Sequence, residues 1–184
     1  MDRAAEDMFT VDDYRALPEG PPHYQLIDGE LIVAPAPNRR HQVIARNVFS
    51  MLNDFVGRES LGEVYFAPVD VFLSEFDVVQ PDIFFVSISN QHLLADDGIR
   101  GGPDLVVEIL SPTNGQLELR RKRPLYARGG VKEEWLIDPN LEQIHRYDFT
   151  FDMAKPARIF DRDEAFETAL LPGLVVNAAD IFRR

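Results

Sequence analysis

The longest helical pattern of the chain runs from Arg39 to Val56, with Asn38 placed as its N-cap and Gly57 as its stop. Its apolar positions recur every three or four residues, at Ile44, Val48, Met51, Leu52 and Phe55. A short helix is expected from about Thr10 to Ala16, because its first residues have the spacing of a capping box. A third helix is predicted from about Gln116 to Arg128.

Strand patterns fill most of the remaining chain. Asp28-Gly29 favours a tight turn between residues 24–27 and 31–33, which predicts a β-hairpin. Residues 63–73 alternate between apolar and polar positions, residues 74–77 indicate a turn and residues 78–86 form a second extended run, so we expect the two segments to pair as a hairpin.

The segment from Asp104 to Leu110 is almost continuously apolar, as is typical of a strand at the centre of a sheet with both faces covered. A further strand is expected from Glu134 to Asp138, and a returning hairpin strand from Leu141 to Phe149. We expect peripheral β structure and a tail in the last apolar segments, 158–160, 165–171 and 181–182. This order of helices and strands predicts an α/β (α+β) fold.

Composition narrows the class of protein. With 184 residues, of which 45% are hydrophobic, the chain can bury one substantial core, so we expect one domain over residues 1–184. The formal net charge is −12, which opposes a broad basic surface for phosphate backbones. Any nucleic-acid function must therefore depend on a local site.

The sequence also bears on location. It contains no run of eighteen uncharged apolar residues, so a membrane-spanning helix is not expected. The acidic start MDRAAEDMFT lacks the basic and apolar regions of a secretory signal, and cysteine is absent. We therefore expect a cytoplasmic protein.

Two acidic residues interrupt apolar strand patterns. Glu108 stands within the Asp104–Leu110 segment, and Asp82 lies between Pro81 and an apolar run. Burying an unpartnered carboxylate is costly or raises its pKa, so something should compensate both groups. Mg2+ suits such a pair because it binds through one or two carboxylates and keeps water or phosphate oxygens as its other ligands. The alternative is an ordinary hydrogen-bonded carboxylate at a strand edge, which is the commoner case for a lone acid.

Lys122 lies on the helix that follows the Glu108 strand, where it could orient an attacking water or hold a phosphate as a point charge. The alternative is an ordinary exposed ion pair with Glu118, four residues earlier on the same helix. The pattern by itself favours that alternative.

Several ordered motifs resemble the Uma2 family, formerly a domain of unknown function. The resemblance covers most of the chain and is carried by YQLIDGEL from Tyr24, RHQ from Arg40, QPD from Gln80, PDLVVEILSP from Pro103, Lys122 with Tyr126, GVKEEWLIDP from Gly130, LPGL from Leu171, and Ile181-Phe182. The family is similar to the PD-(D/E)xK nuclease superfamily. The resemblance implies a restriction-endonuclease-like fold with a mixed β-sheet flanked by helices and additional N- and C-terminal strands.

The same resemblance implies site residues. Pro81-Asp82 corresponds to the first acid of the superfamily motif and Glu108 to the second. Leu110 stands where the superfamily usually has lysine, and Lys122 is interpreted as its migrated replacement. Pro124 follows closely and is expected to kink that helix.

Three further positions are interpreted through the family. Gln25 stands where the family usually has glutamate, which weakens the case for an acidic ligand there. His41 matches a family histidine in the first helical turn, where the helix dipole favours a neutral imidazole able to accept a proton or bind metal. Its alternative is a capping or structural role. Asp70 is expected to give polar support nearby, and Asp104 to shape the turn into its strand.

These features predict a nuclease that uses Mg2+, or Mn2+ in its place, to cleave a phosphodiester, with DNA the expected substrate and a homodimer the expected assembly. Asp82 and Glu108 are the predicted metal ligands, with Lys122 and His41 as further catalytic candidates. Two alternatives stay open. One is a catalytically silent binding or regulatory module, suggested by the acidic charge and Leu110, and the other is a hydrolase of a smaller phosphate ester.

Overall fold

The structure, a computed structural model, describes residues 8–18, 20–33, 37–111 and 115–184, and within 115–119 the backbone alone. In chain order its helices and strands are α1 (Val11–Arg15), β1 (Tyr24–Ile27), β2 (Glu30–Val33), α2 (Arg39–Glu59), β3 (Gly62–Phe66), β4 (Val71–Ser74), β5 (Asp77–Val79), β6 (Ile83–Ser87), a 3-10 helix (Ile88–Leu93), β7 (Leu94–Ala95), β8 (Gly98–Arg100), β9 (Leu105–Ile109), α3 (Gly115–Gly129), β10 (Glu133–Asp138), β11 (Gln143–Asp148), β12 (Arg158–Asp161), β13 (Ala165–Glu167), β14 (Val175–Asn177) and α4 (Ala178–Phe182).

The described strands form two six-stranded sheets and a separate hairpin, β13-β14. The first sheet has the order β2-β1-β5-β4-β8-β7 and the second has the order β12-β11-β10-β9-β6-β3. Strand β9 lies inside the second sheet, antiparallel to β6 and parallel to β10, and all five of its residues are buried. The central strand and the mixed sheet predicted from the sequence are both confirmed.

Helices cover both faces of the second sheet. Along a strand, side chains alternate between faces, so β6 and β9 each supply one set of residues to each layer. The first layer includes α2 with Ile44, Val48, Leu52, Ile83, Phe85 and Val107. The second includes α3 with Leu125, Tyr126, Phe84 and Val106. The charged side chains on the second face are therefore buried under α3.

The N-terminal predictions hold closely. Thr10 caps α1 in a capping box with Asp13, and the Asn38 side chain caps α2 by accepting from the His41 backbone N–H. The β1-β2 hairpin turns at Asp28, which has a left-handed φ of 50°. A short polar side chain tolerates this conformation better than most residues do.

The stop predicted at Gly57 is wrong. Helix α2 continues to Glu59, and Ser60 is the residue that takes the left-handed conformation at its end, with φ 53°. Phe55 and Val56, in the last turns of the helix, are buried in the core.

The pairing predicted between residues 63–73 and 78–86 is confirmed, but it is divided between the two sheets. The two segments pair twice, β3 with β6 in the second sheet and β4 with β5 in the first. Pro68 and Pro81 lie where the segments pass from one sheet to the other, because proline cannot donate a hydrogen bond within a sheet. The Ala67 N–H instead donates to the Asp82 carbonyl at 3.0 Å, so Asp82 lies where the sheets diverge.

The C-terminal segment is not peripheral. Residues from β12 to the end of the chain contribute to the largest core cluster, including Phe160, Phe166, Leu171, Leu174, Val176, Ile181 and Phe182. Ile181 and Phe182 belong to α4, which packs on α2, where the Asn47 side chain donates to the Ile181 carbonyl at 3.0 Å. In the part of the chain that is described, no helix has both the length and the apolar character to cross a membrane.

Candidate active site

Asp82 and Glu108 meet at one end of the second sheet. Ile83 of β6 pairs with Val107 of β9, and the same register one residue further brings Asp82 opposite Glu108. The Ile109 backbone N–H donates to Asp82 Oδ2 at 2.7 Å, which holds the Asp82 carboxylate against the strand that carries Glu108. The structure thus brings together the two acids that the sequence singles out.

Glu108 is buried, with 5% of its side chain exposed. Its Oε1 atom accepts from Lys122 Nζ at 3.2 Å and from the Tyr126 hydroxyl. Burial raises the pKa of Glu108 to about 7, an effect that the Lys122 charge opposes and the nearby Asp82 charge reinforces. The site therefore holds a carboxylate whose ionised form is poorly stabilised by the protein alone.

Lys122 reaches this site from α3. That helix runs from Gly115 to Gly129 with Pro124 inside it, and the amine still contacts Glu108. Lys122 does not lie on an exposed helix face, because only 5% of its side chain is exposed. The side chain of Glu118 lies outside the described residues.

Tyr126 is a residue that the sequence analysis did not assign to the site. It lies four residues after Lys122, so both side chains project from the same side of α3 toward β9. Its side chain is fully buried, and its hydroxyl donates to Glu108. The i, i+4 spacing to Lys122 was a signal that could have identified it.

His41 lies at the other side of Asp82. Its Nε2 is 3.0 Å from Asp82 Oδ2, and its Nδ1 has no hydrogen-bond partner among the described residues. Burial, the largest effect, lowers the pKa of His41, but the hydrogen bond and charge of Asp82, together with the Glu108 charge, outweigh it and raise the pKa. The shift is therefore opposite to the one that the helix dipole by itself favours, because the paired acid has the larger effect.

A second layer of polar groups supports the backbone that leads to Asp82. Asp70 Oδ1 accepts from Gln80 Nε2 at 2.8 Å and from the Tyr14 hydroxyl at 2.9 Å. Gln25 Oε1 accepts from the Gln80 backbone N–H at 3.1 Å. Asp70 thus has the supporting position expected of it, and Gln25 holds the chain two residues before Asp82.

Asp104 lies at the opposite end of β9 from the site. Its carboxylate accepts from the Ser87 backbone N–H at 2.7 Å and from Lys132 Nζ at 2.5 Å. It therefore shapes the start of its strand, as predicted, and does not approach Glu108.

Asp82 and Glu108 are the residues of this site that could hold a divalent cation. No cluster of three or more His, Asp or Glu side chains suited to a metal occurs in the described parts of the chain. Two carboxylates still match Mg2+, which is commonly held by one or two acids and completes its shell with water and phosphate oxygens. A cation here would also offset the repulsion that contributes to the raised pKa of Glu108.

Comparisons with known proteins agree with this architecture. A family model named Uma2, with the description "Putative restriction endonuclease", matches residues 11–179. A similar solved structure is a protein from Anabaena variabilis ATCC 29413 described as a putative nuclease belonging to DUF820. The match has a TM-score of 0.79 and 23% sequence identity over 95% of this chain and 97% of that chain, and it shows the fold. No curated protein matches the chain.

Proposed function

Because the chain belongs to the Uma2 family, we propose that it is a divalent-metal-dependent nuclease that hydrolyses phosphodiester bonds in DNA. One observation carries the proposal. Asp82 and Glu108 face each other across neighbouring strands, with Lys122 Nζ 3.2 Å from Glu108 Oε1 in a largely buried setting. Paired acids can hold the cation that metal-assisted phosphodiester hydrolysis uses, and the adjacent amine supplies a further positive charge.

In this proposal, Asp82 and Glu108 hold Mg2+, with Mn2+ as a substitute. When bound, the cation supplies an activated water and neutralises charge on the phosphoryl oxygens. The Ile109 N–H and His41 Nε2 orient the Asp82 carboxylate, and the Tyr126 hydroxyl orients Glu108. The Lys122 ammonium provides a positive charge for the scissile phosphate or its attacking water.

The test is a pair of carboxylate-to-amide substitutions. We expect Asp82→Asn and Glu108→Gln each to reduce Mg2+-dependent cleavage of a DNA oligonucleotide by about two orders of magnitude or more, because each removes a metal ligand. Circular dichroism checks that both variants fold.

The matched control is Glu167→Gln, the same chemical change on an exposed position of β13. Purified in the same way, it should cleave at the wild-type rate, and a loss confined to the two site variants also excludes a contaminating nuclease. Undiminished cleavage by both folded site variants would contradict the proposal.

The net charge of −12 favours one second candidate, a hydrolase of a smaller phosphate ester. Rates on duplexes, short oligonucleotides and mononucleotide esters distinguish the two, since a preference for the mononucleotide esters supports the second. If DNA duplex is the substrate, cutting both strands requires two sites, and a two-fold homodimer would supply them.

A further inference from the structure

A second buried acid lies under α3, in the strand next to Glu108. We propose that Glu134, held by Arg123, is the positioning residue for Lys122, and that it retains the Lys122 ammonium beside the site when a cation takes the Glu108 carboxylate. The pairing of Glu134 with Lys122 is inferred from the sheet register, the burial of both side chains and the Glu134 oxygen left unpartnered among the described residues, and does not depend on a bound cation. The role of Glu134 in holding Lys122 when a cation binds Glu108 rests on the proposed function.

The sheet register puts Glu134 on the same face as Glu108. Glu134 of β10 is paired in parallel with Val106 of β9, two residues before Glu108. Paired residues point to the same side of a sheet, and so do residues two apart along a strand. Val106 packs in the same core cluster as Tyr126 of α3, so Glu134 also faces that helix.

One carboxylate oxygen of Glu134 has a hydrogen-bond partner and the other has none among the described residues. The side chain of Glu134 is fully buried, and its Oε2 accepts from Arg123 Nε at 2.6 Å. The Arg123 guanidinium stacks over the Tyr147 ring, 3.6 Å from its centroid, which holds the arginine in turn. The other oxygen, Oε1, accepts no hydrogen bond from the described residues. A buried acceptor without a donor is unfavourable, so this oxygen would gain from a donor that reaches it.

Lys122 is the cation next to Arg123 in sequence, and its charge acts on Glu134. Burial is the largest effect on the pKa of Glu134 and raises it, while the Arg123 charge and then the Lys122 charge act to lower it. Lys122 therefore interacts with acids on two neighbouring strands, Glu108 through a contact and Glu134 through its field.

Cation binding would change the balance of charge among the four charged side chains between α3 and the sheet. Without a cation, Glu108 and Glu134 offset Lys122 and Arg123. A cation on Glu108 would weaken the attraction that holds the buried Lys122 ammonium, and a buried charge that loses its partner is strongly unfavourable. The free oxygen of Glu134 offers the ammonium a replacement partner without returning it to water.

The pairing is tested first without metal. Unfolding equilibrium constants in EDTA are measured for wild type, Lys122→Met, Glu134→Gln and the double variant. We expect the effects of the two substitutions to be coupled by more than about twofold, the lower limit for interacting neighbours. Should Lys122→Met not fold, Lys122→Gln takes its place in the cycle.

Glu133→Gln is the matched control. Glu133 is the preceding residue of β10 and is also buried, but it faces the opposite side of the sheet, where it accepts from Trp135 Nε1 and the Thr168 hydroxyl. Its coupling to Lys122→Met should be absent. Equal coupling for Glu133 and Glu134, or none for Glu134, overturns the pairing.

The second measurement is Mg2+ affinity by calorimetry on the same variants. With Lys122 present, Glu134→Gln should weaken Mg2+ binding by at least about twofold, because Lys122 then competes for Glu108. With Lys122→Met, the same substitution should have no effect. An equal loss in both backgrounds, or no loss in either, overturns the transfer of Lys122 to Glu134. If wild type binds no Mg2+, the proposed function and the transfer fail together, while the coupling in EDTA still decides the pairing.

Discussion

At the residue scale, Glu108 shows how one buried acid depends on its neighbours. Its Oε1 receives both the Lys122 amine and the Tyr126 hydroxyl, and burial raises its pKa to about 7. Above that pH the ionised carboxylate depends on these two donors, because water is largely excluded from it.

We expect Tyr126→Phe to lower the free energy of unfolding of the metal-free protein by about 1.5–3 kcal/mol at about pH 8, the usual contribution of a hydrogen bond to a charged group. Urea denaturation measures the change. Tyr65→Phe is the control, since the Tyr65 hydroxyl contacts the exposed Glu63 and its loss should cost less than about 0.5 kcal/mol. Equal losses in the two variants would show that Tyr126 does not support Glu108.

At the element scale, Asp104 connects strands that the site depends on. It accepts from the Ser87 N–H at the end of β6, from Asn90 Nδ2 in the 3-10 helix and from Lys132 Nζ before β10. Burial, the largest effect, acts to raise the pKa of Asp104, but the bonds from Lys132, Ser87 and Asn90 outweigh it and lower the pKa below 3.8.

A lowered pKa in the folded state means that the ionised form of Asp104 stabilises the fold above pH 3.8, and that this stabilisation is lost as the pH falls through the lower folded value. We expect Asp104→Asn to lower the free energy of unfolding by about 1.5–3 kcal/mol at about pH 7. The difference from wild type should shrink below about pH 4.

Denaturant unfolding across this pH range checks the trend. The control Asp163→Asn, at an exposed position, should differ from wild type by less than about 0.5 kcal/mol at every pH. A gap for Asp104→Asn that stays constant or widens toward acid would contradict the assigned role of the carboxylate.

At the scale of the whole molecule, the net charge of −12 affects how strongly the affinity for DNA should depend on salt concentration. A nuclease that binds duplexes through a broad basic surface loses about 10³–10⁵ in affinity between roughly 50 and 200 mM salt. An acidic protein that binds through one local cation site releases few counterions.

We therefore expect the apparent affinity for a DNA oligonucleotide to change less than about tenfold between roughly 50 and 200 mM KCl, with Mg2+ held saturating. Initial cleavage rates as a function of oligonucleotide concentration measure it. A loss of more than about a hundredfold would indicate an extended basic path that the composition does not suggest.

Much of the fold was readable from local pattern. The helix starts at Thr10 and Asn38, the hairpin at Asp28-Gly29 and the central strand β9 depend on residues close in sequence, and each of these predictions is confirmed. Asp82 and Glu108 were identifiable because a carboxylate within an apolar strand is physically unusual, and the family resemblance was specific enough to name the fold.

Contacts between distant segments were decided by the tertiary structure. Residues 63–87 are divided between two sheets, and the C-terminal segment is buried. Both features depend on which surfaces pack together, and the hydrophobic periodicity of a single segment does not show this. The direction in which the pKa of His41 is shifted depends on its pairing with Asp82, forty-one positions away along the chain.

The sequence by itself determined which side chains could form a site, and the tertiary structure decided which of them share one. Leu110 and Lys122 illustrate the difference. The chain has no lysine two residues after Glu108, yet the packing of α3 on β9 brings the Lys122 amine to that carboxylate. Spacing along a strand fixes only the direction of a side chain, whereas the docking of a helix can supply the same charge from elsewhere in the chain.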